Sequence, residues 1–210
     1  MKFSKIITLC SFGFIAACSN KRETENAAII PDFSIDAKEA DWDRNEIDKL
    51  VKGTYKWLDT VKTPGAFRPF VKDSMIVGYD RIAQNLHMVQ LDKSGYFATE
   101  FIDNIARIFN EQDELLRSGK AKWLEGDMPP FGYPDVNAWC GCQDSPTDDY
   151  DTMNVVIEKM TSGTAELYWN WTGFGKDWEN EHYHIKTVKV NGKWKIAWME
   201  GWDYEKNVKI

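Results

Sequence analysis

Residues 181–202 read Glu181-His182-Tyr183-His184-Ile185-Lys186-Thr187-Val188-Lys189-Val190-Asn191-Gly192-Lys193-Trp194-Lys195-Ile196-Ala197-Trp198-Met199-Glu200-Gly201-Trp202, and this stretch decides the fold class. Two runs rich in Val, Ile, Thr, Tyr and Trp flank Asn191-Gly192. Such residues suit a pleated, half-buried surface, and Asn-Gly supplies the two positive-φ positions of a type I′ turn. The pattern predicts antiparallel strands over 181–190 and 193–202. A two-residue turn pairs Val190 with Lys193, and every further pair follows by counting outward. One face then holds Lys189 with Trp194, Thr187 with Ile196, Ile185 with Trp198, Tyr183 with Glu200 and Glu181 with Trp202. The other holds Val190 with Lys193, Val188 with Lys195, Lys186 with Ala197, His184 with Met199 and His182 with Gly201. Trp194, Ile196, Trp198 and Ile185 mark the first set as the inner face.

Upstream, Thr152–Met160 and Thr164–Thr172 repeat the period of two, which makes at least four strands. Earlier still the period is 3.6. Ile47, Leu50, Val51, Trp57, Leu58 and Val61, with Thr54 in the same stripe, predict a helix over Asn45–Val61. Asp43 or Asn45 caps its start and Pro64-Gly65 stops it. A second helix is predicted over Gly95–Leu116, capped by Ser94, with Phe97, Phe101, Ile102, Ile105, Ile108, Phe109 and Leu116 inside. A shorter one is expected around Asp80–Val89. Ala121–Asp151, rich in Pro, Gly, Asp and Asn, reads as a long irregular connection, a kind of segment that is usually functional. Helices first and antiparallel strands last predict an α+β domain with helices on one face of the sheet.

The ending Lys189-Val190-Asn191-Gly192-Lys193-Trp194-Lys195-Ile196 resembles the closing hairpin of the nuclear-transport-factor-two-like superfamily, also called ketosteroid-isomerase-like. The helix at 94–116, the segment Pro134-Asp135-Val136-Asn137 and the pair Gln143-Asp144 resemble a bacterial branch of secreted proteins of unassigned function. The chain departs from that branch at Ala138-Trp139-Cys140, where an Asp-Pro pair is expected to lead on. The resemblance spans about residues 42–204. It implies a cone-shaped open barrel, with the N-terminal helices packed on the concave face of a curved antiparallel sheet. It also implies pairing of two copies through the sheet. Enzymes, binding proteins and assembly modules share this fold, so the resemblance does not choose an activity.

The other end of the chain carries an address. Lys2 and Lys5 precede an apolar run from Ile6 to Ala16, and small residues lead to Cys18. That is the layout of a secretory signal peptide. The run is shorter than the ~20 residues of a spanning helix. The ending Ile15-Ala16-Ala17-Cys18 resembles the bacterial lipoprotein signal, which implies cleavage before Cys18, diacylglycerol on its thiol and fatty-acid (palmitate) anchoring in the bilayer. Ser19, in place of the Asp that favours inner-membrane retention, points to the outer membrane of the cell envelope. The expected organisation is a signal at 1–17, a lipidated tether at 18–41 and one domain at 42–210. Removal of Lys2 and Lys5 takes the net charge from −7 to about −9, which argues against a nucleic-acid surface.

The inner face of the hairpin nominates the candidate pocket: Tyr183 opposite Glu200, beyond Trp198, with Trp169 from the neighbouring strand. A carboxylate among aromatic rings loses hydration and becomes a candidate acid, base or hydrogen-bond partner. His182 and His184 project from one side of a strand, as two zinc ligands do, but they fall on the outer face with Lys186, Lys193 and Lys195, so no metal site and no cofactor is expected. Cys140 and Cys142 leave open a disulfide, two free thiols or a small redox loop. Asp144, Asp148, Asp149 and Asp151 lack the Gly and terminal Glu of an EF-hand and read as a solvated loop. Phosphate-loop, nucleophile-elbow and His-Glu-x-x-His patterns do not occur. The expectation is a lipid-anchored, non-catalytic module for a small ligand or an envelope protein. Its rivals are an isomerase or hydratase with Glu200 as base and Tyr183 as oxyanion donor, and an envelope immunity or inhibitor protein.

Overall fold

The computed structural model describes residues 37–61, 68–132 and 136–209. The signal, Cys18, most of the expected tether and Pro134-Asp135 lie outside the described residues. Among the described residues, no helix is long and apolar enough to cross a membrane.

The chain is α+β, as its switch of period predicts. In order come α1 (Ala37–Thr60), β1 (Pro69–Lys72), β2 (Met75–Tyr79), α2 (Arg81–Ser94), α3 (Thr99–Arg117), β3 (Met153–Met160), β4 (Thr164–Trp171), α4 (Lys176–Asn180), β5 (Tyr183–Val190), β6 (Lys193–Met199) and α5 (Tyr204–Val208). The last four long strands form one antiparallel sheet in the order β3-β4-β5-β6, and β1 pairs with β2 in a separate hairpin. Helices α1 and α3 pack on the sheet. Leu167, Trp169, Trp171, Ile185, Ile196 and Met199 face them, and Ile47, Val51, Phe101, Ile105 and Phe109 fill the layer from the helix side.

Helix α1 starts at Ala37, inside the segment expected as tether, so Asp43 lies within the helix and is not its cap. Its side chain is fully buried; it accepts from Lys189 Nζ at 2.8 and 3.0 Å and from Trp194 Nε1 at 2.8 Å. The helix predicted over 95–116 is shorter than expected at its start. Gly95, at φ +76°, ends α2 in the left-handed conformation that a residue with a Cβ avoids. Tyr96–Ala98 then run along β6, with Ile196 N–H donating to Tyr96 O at 2.9 Å and Ala98 N–H donating to Ile196 O at 2.8 Å. Asp80 caps α2 through Oδ1, which accepts from the N–H groups of Ile82 and Ala83. The β1-β2 hairpin was not foreseen. Its turn residues Asp73 and Ser74 sit at positive φ without a glycine, so the usual turn signal is missing.

The last hairpin follows the predicted register near its turn and departs from it further out. Asn191 and Gly192 lie at φ +51° and +77°, and Val190 pairs with Lys193 through to Thr187 with Ile196. There a bulge inserts one extra residue into β6, so Lys186 pairs with Trp198 and Ile185 with Met199. Every side chain beyond a bulge changes face. Met199 is therefore fully buried, and Trp198 stands on the outer face with Lys186 Nζ 5.6 Å from its ring centre. The predicted pairs Ile185–Trp198, Tyr183–Glu200 and Glu181–Trp202 do not form.

Candidate functional site

The segment expected to be irregular supplies the plug of the inner layer. Asn137 closes a tight loop by donating its N–H to Cys142 O at 2.8 Å, and its own carbonyl accepts from the N–H groups of Cys140 and Gly141. Cys140 and Cys142 form a disulfide across it, with a Cα separation of 5.1 Å inside the ordinary range. Two tyrosines pin the loop to the domain. Tyr55 of α1 donates to Trp139 O at 2.6 Å, and Tyr183 of β5 donates to Ala138 O. The Trp139 ring lies against Trp202 at 4.9 Å and against Phe97 and Phe101.

Between this plug, α1, α2 and β4 lies a cavity of about 1060 Å³. Its walls are aromatic. Tyr55 meets Trp169 edge-on at 5.0 Å and Tyr150 face-on at 5.8 Å, and Trp169 meets Trp171 at 5.6 Å. Trp139, Trp202 and Phe131 add to the apolar lining, and exposed Asp59, Asp144, Asp148 and Arg68 stand at the rim. The tyrosines stay protonated. Burial, reinforced by the Tyr183 phenol, raises Tyr55, and burial with Asp113 nearby raises Tyr79. Burial and the hydrogen bond to Asp59 push Tyr150 up to about 12. A relay from Tyr79 to Gln112 and on to the Asn207 carbonyl lines one side with satisfied polar groups.

Two lining groups are different. His87 is only 7% exposed, and neither of its ring nitrogens pairs with a protein group. Trp171 is 3% exposed and its Nε1 is likewise unpaired. Burial alone lowers His87 to about 4, so its imidazole is neutral at pH 7.

Of the four residues nominated from sequence, three come together. Trp169, Tyr183 and Glu200 line a second cavity of about 330 Å³, while Trp198 does not reach it. Glu200 is not opposite Tyr183. It lies in a 3₁₀ turn (Glu200–Trp202), where its Oε2 contacts His184 Nδ1 at 3.0 Å and accepts from the His184 backbone N–H, with Lys206 Nζ 3.8 Å from Oε1. Tyr183 spends its hydroxyl on Ala138 O and on the Gly201 N–H. The base and oxyanion donor of the enzyme reading are thus turned to other partners. His182 and His184 are exposed on the outer face as the register predicts; His182 stacks on Tyr168 with ring centres 3.9 Å apart. Among the described residues, no group of three His, Cys, Asp or Glu stands close enough to hold a metal ion.

Sequence reasoning missed Tyr55, His87, Trp139 and Tyr150. Tyr55 sits four residues after Val51 on the predicted helical stripe, and His87 falls in the predicted short helix, so both had a periodic signal. Trp139 belongs to a turn and Tyr150 to a single 3₁₀ turn (Tyr150–Thr152), elements too short for periodicity to mark. The chain matches no protein-family model, no curated protein and no solved structure.

Proposed function

We propose that this chain is a lipid-anchored protein of the bacterial cell envelope that binds a small, largely apolar ligand and does no chemistry on it. The observation that carries the reading is the larger cavity. About 1060 Å³ walled by Tyr55, Trp139, Tyr150, Trp169, Trp171 and Trp202 is the size and lining of a small-molecule site, and rings stack on such walls. The cone of the ketosteroid-isomerase-like resemblance is part of this proposal, with β3 and β6 as the edges between which the helices enter. Cys18 is its point of attachment, at an outer-membrane address.

The test is a titration of the full chain, carrying Cys18→Ser, with toluene, followed by the indole N–H signals in ¹H–¹⁵N spectra. Trp139, Trp169, Trp171 and Trp202 should move saturably while exposed Trp42 stays still. Movement of none of them rejects the binding site. For the anchor, labelled fatty acid should mark the wild-type chain and not Cys18→Ser; equal labelling rejects lipidation.

A further inference from the structure

A buried imidazole with both nitrogens unpaired is uncommon, because each unsatisfied polar atom costs ~1–3 kcal/mol. Such a residue in a cavity wall calls for a partner that is not part of the wall, and because neither ring nitrogen of His87 has surface open to the cavity as it stands, the ring turns to meet one. His87 meets that description. It lines the larger cavity from α2, beside the plug, with its ring centre 6.4 Å from that of Trp139. Trp171 Nε1, an indole donor on the same lining, is the second unpaired group.

We propose that the larger cavity takes an uncharged, flat ring compound bearing a hydroxyl or amide group, and that His87 is the residue that recognises this group. The proposal rests on the cavity being a ligand site. A neutral imidazole offers one donor and one acceptor, which is the complement of a hydroxyl or an amide. A carboxylate or an ammonium fits less well. The nearest full charges on the lining, Asp59, Asp144, Asp148 and Arg68, are at the exposed rim, and the deep groups are phenols, indoles, amides and a neutral imidazole, so a buried ion would meet no counter-charge. Recognition of this kind is strongly selective, since a ligand lacking the polar group leaves His87 as unpaired as before.

p-Cresol and toluene are a matched pair of probes that differ by one hydroxyl. Without a partner for that hydroxyl, the more hydrophobic toluene binds more tightly. We expect the full chain with Cys18→Ser to bind p-cresol at least about five-fold more tightly than toluene. The preference should invert in His87→Phe and persist in weakened form in His87→Gln, which keeps a donor and an acceptor. The chain has three histidines, so ¹⁵N-histidine labelling gives a readout that needs no variant: one imidazole should shift with p-cresol and not with toluene. Toluene binding as tightly as p-cresol, or a p-cresol preference unchanged in His87→Phe, overturns the role of His87 and leaves the cavity as a ligand site. Absence of binding by both probes overturns the binding site itself.

Discussion

Asp43 offers the sharpest test of how the helical layer is fastened to the sheet. Its carboxylate is 0% exposed and takes three hydrogen bonds, two from Lys189 Nζ on β5 and one from Trp194 Nε1 on β6. Asp43→Ala strands both donors. A buried indole N–H without an acceptor costs ~1–3 kcal/mol, and breaking a fully buried ion pair costs ~3–5 kcal/mol. Lys189 softens the second figure, because its side chain is 20% exposed and Glu39 lies 3.9 Å away. We therefore expect Asp43→Ala to lose about 3 kcal/mol, at the low end of the buried-pair range. Asp43→Asn keeps an acceptor for the indole and should lose less. Trp194→Phe leaves the Lys189 pair intact; it gives up one hydrogen bond, worth about 1 kcal/mol, together with some packing. Urea unfolding followed by far-ultraviolet circular dichroism at pH 7 measures all three, with Glu39→Ala as the control for a mainly exposed carboxylate. Asp43→Ala within about 1 kcal/mol of wild type, or no worse than Glu39→Ala, refutes the view that this buried cluster holds α1 on the sheet.

Two further outcomes follow from the cavity wall. His87 binds its proton at about 4 in the folded chain against 6.5 when free, so as pH falls below about 6.5 the unfolded chain gains a proton that the native state refuses. Stability should fall by about 3 kcal/mol between pH 6.5 and 4 from this residue alone; the wild-type curve minus that of His87→Phe isolates it from the rim carboxylates, and parallel curves refute it. Gly201 packs so closely under the plug that an added Cβ would fall on the Ala138 carbonyl, whereas one at Gly163 meets nothing within 4 Å. Gly201→Ala should lower the thermal midpoint well beyond Gly163→Ala and loosen Trp139; equal midpoints would show that the plug is not held there.

Much of the fold was legible because it rests on periodic patterns. The stripes of α1 and α3, the four long strands and the Asn191-Gly192 turn are all repeated local signals, and tertiary packing agrees with each. Two of the misses share one cause. The bulge in β6 and the start of α3 after Gly95 are decided by contacts between distant segments, whereas the β1-β2 hairpin lacks the local turn signal of a glycine. Ile196 stands opposite Thr187 on one side and is hydrogen-bonded to Tyr96 and Ala98 on the other, and nothing near Ile196 in sequence announces residues one hundred positions away. Asp43 failed in the same way: a helix-start carboxylate is read as a cap unless its lysine and indole partners, about 150 positions on, are already known.

The bulge also decides where polarity enters the domain. With the straight register, Glu200 would stand on the inner face beside Tyr183 and give the sheet a charged floor. One extra residue in β6 turns Met199 inward and leaves Glu200 with His184 and Lys206. The sheet's contribution to the larger cavity is then Trp169 and Trp171, which are apolar save for their indole N–H groups. Trp169 Nε1 is already spent on the Tyr55 hydroxyl at 2.9 Å, which leaves Trp171 Nε1 as the unpaired indole donor that the sheet brings to this lining. If the cavity binds ring compounds as proposed, discrimination among them comes chiefly from the helical and irregular side, from His87 and the rim, while the sheet supplies area. Substitutions on β4 should weaken all ring ligands together, and substitutions at His87 should reorder them.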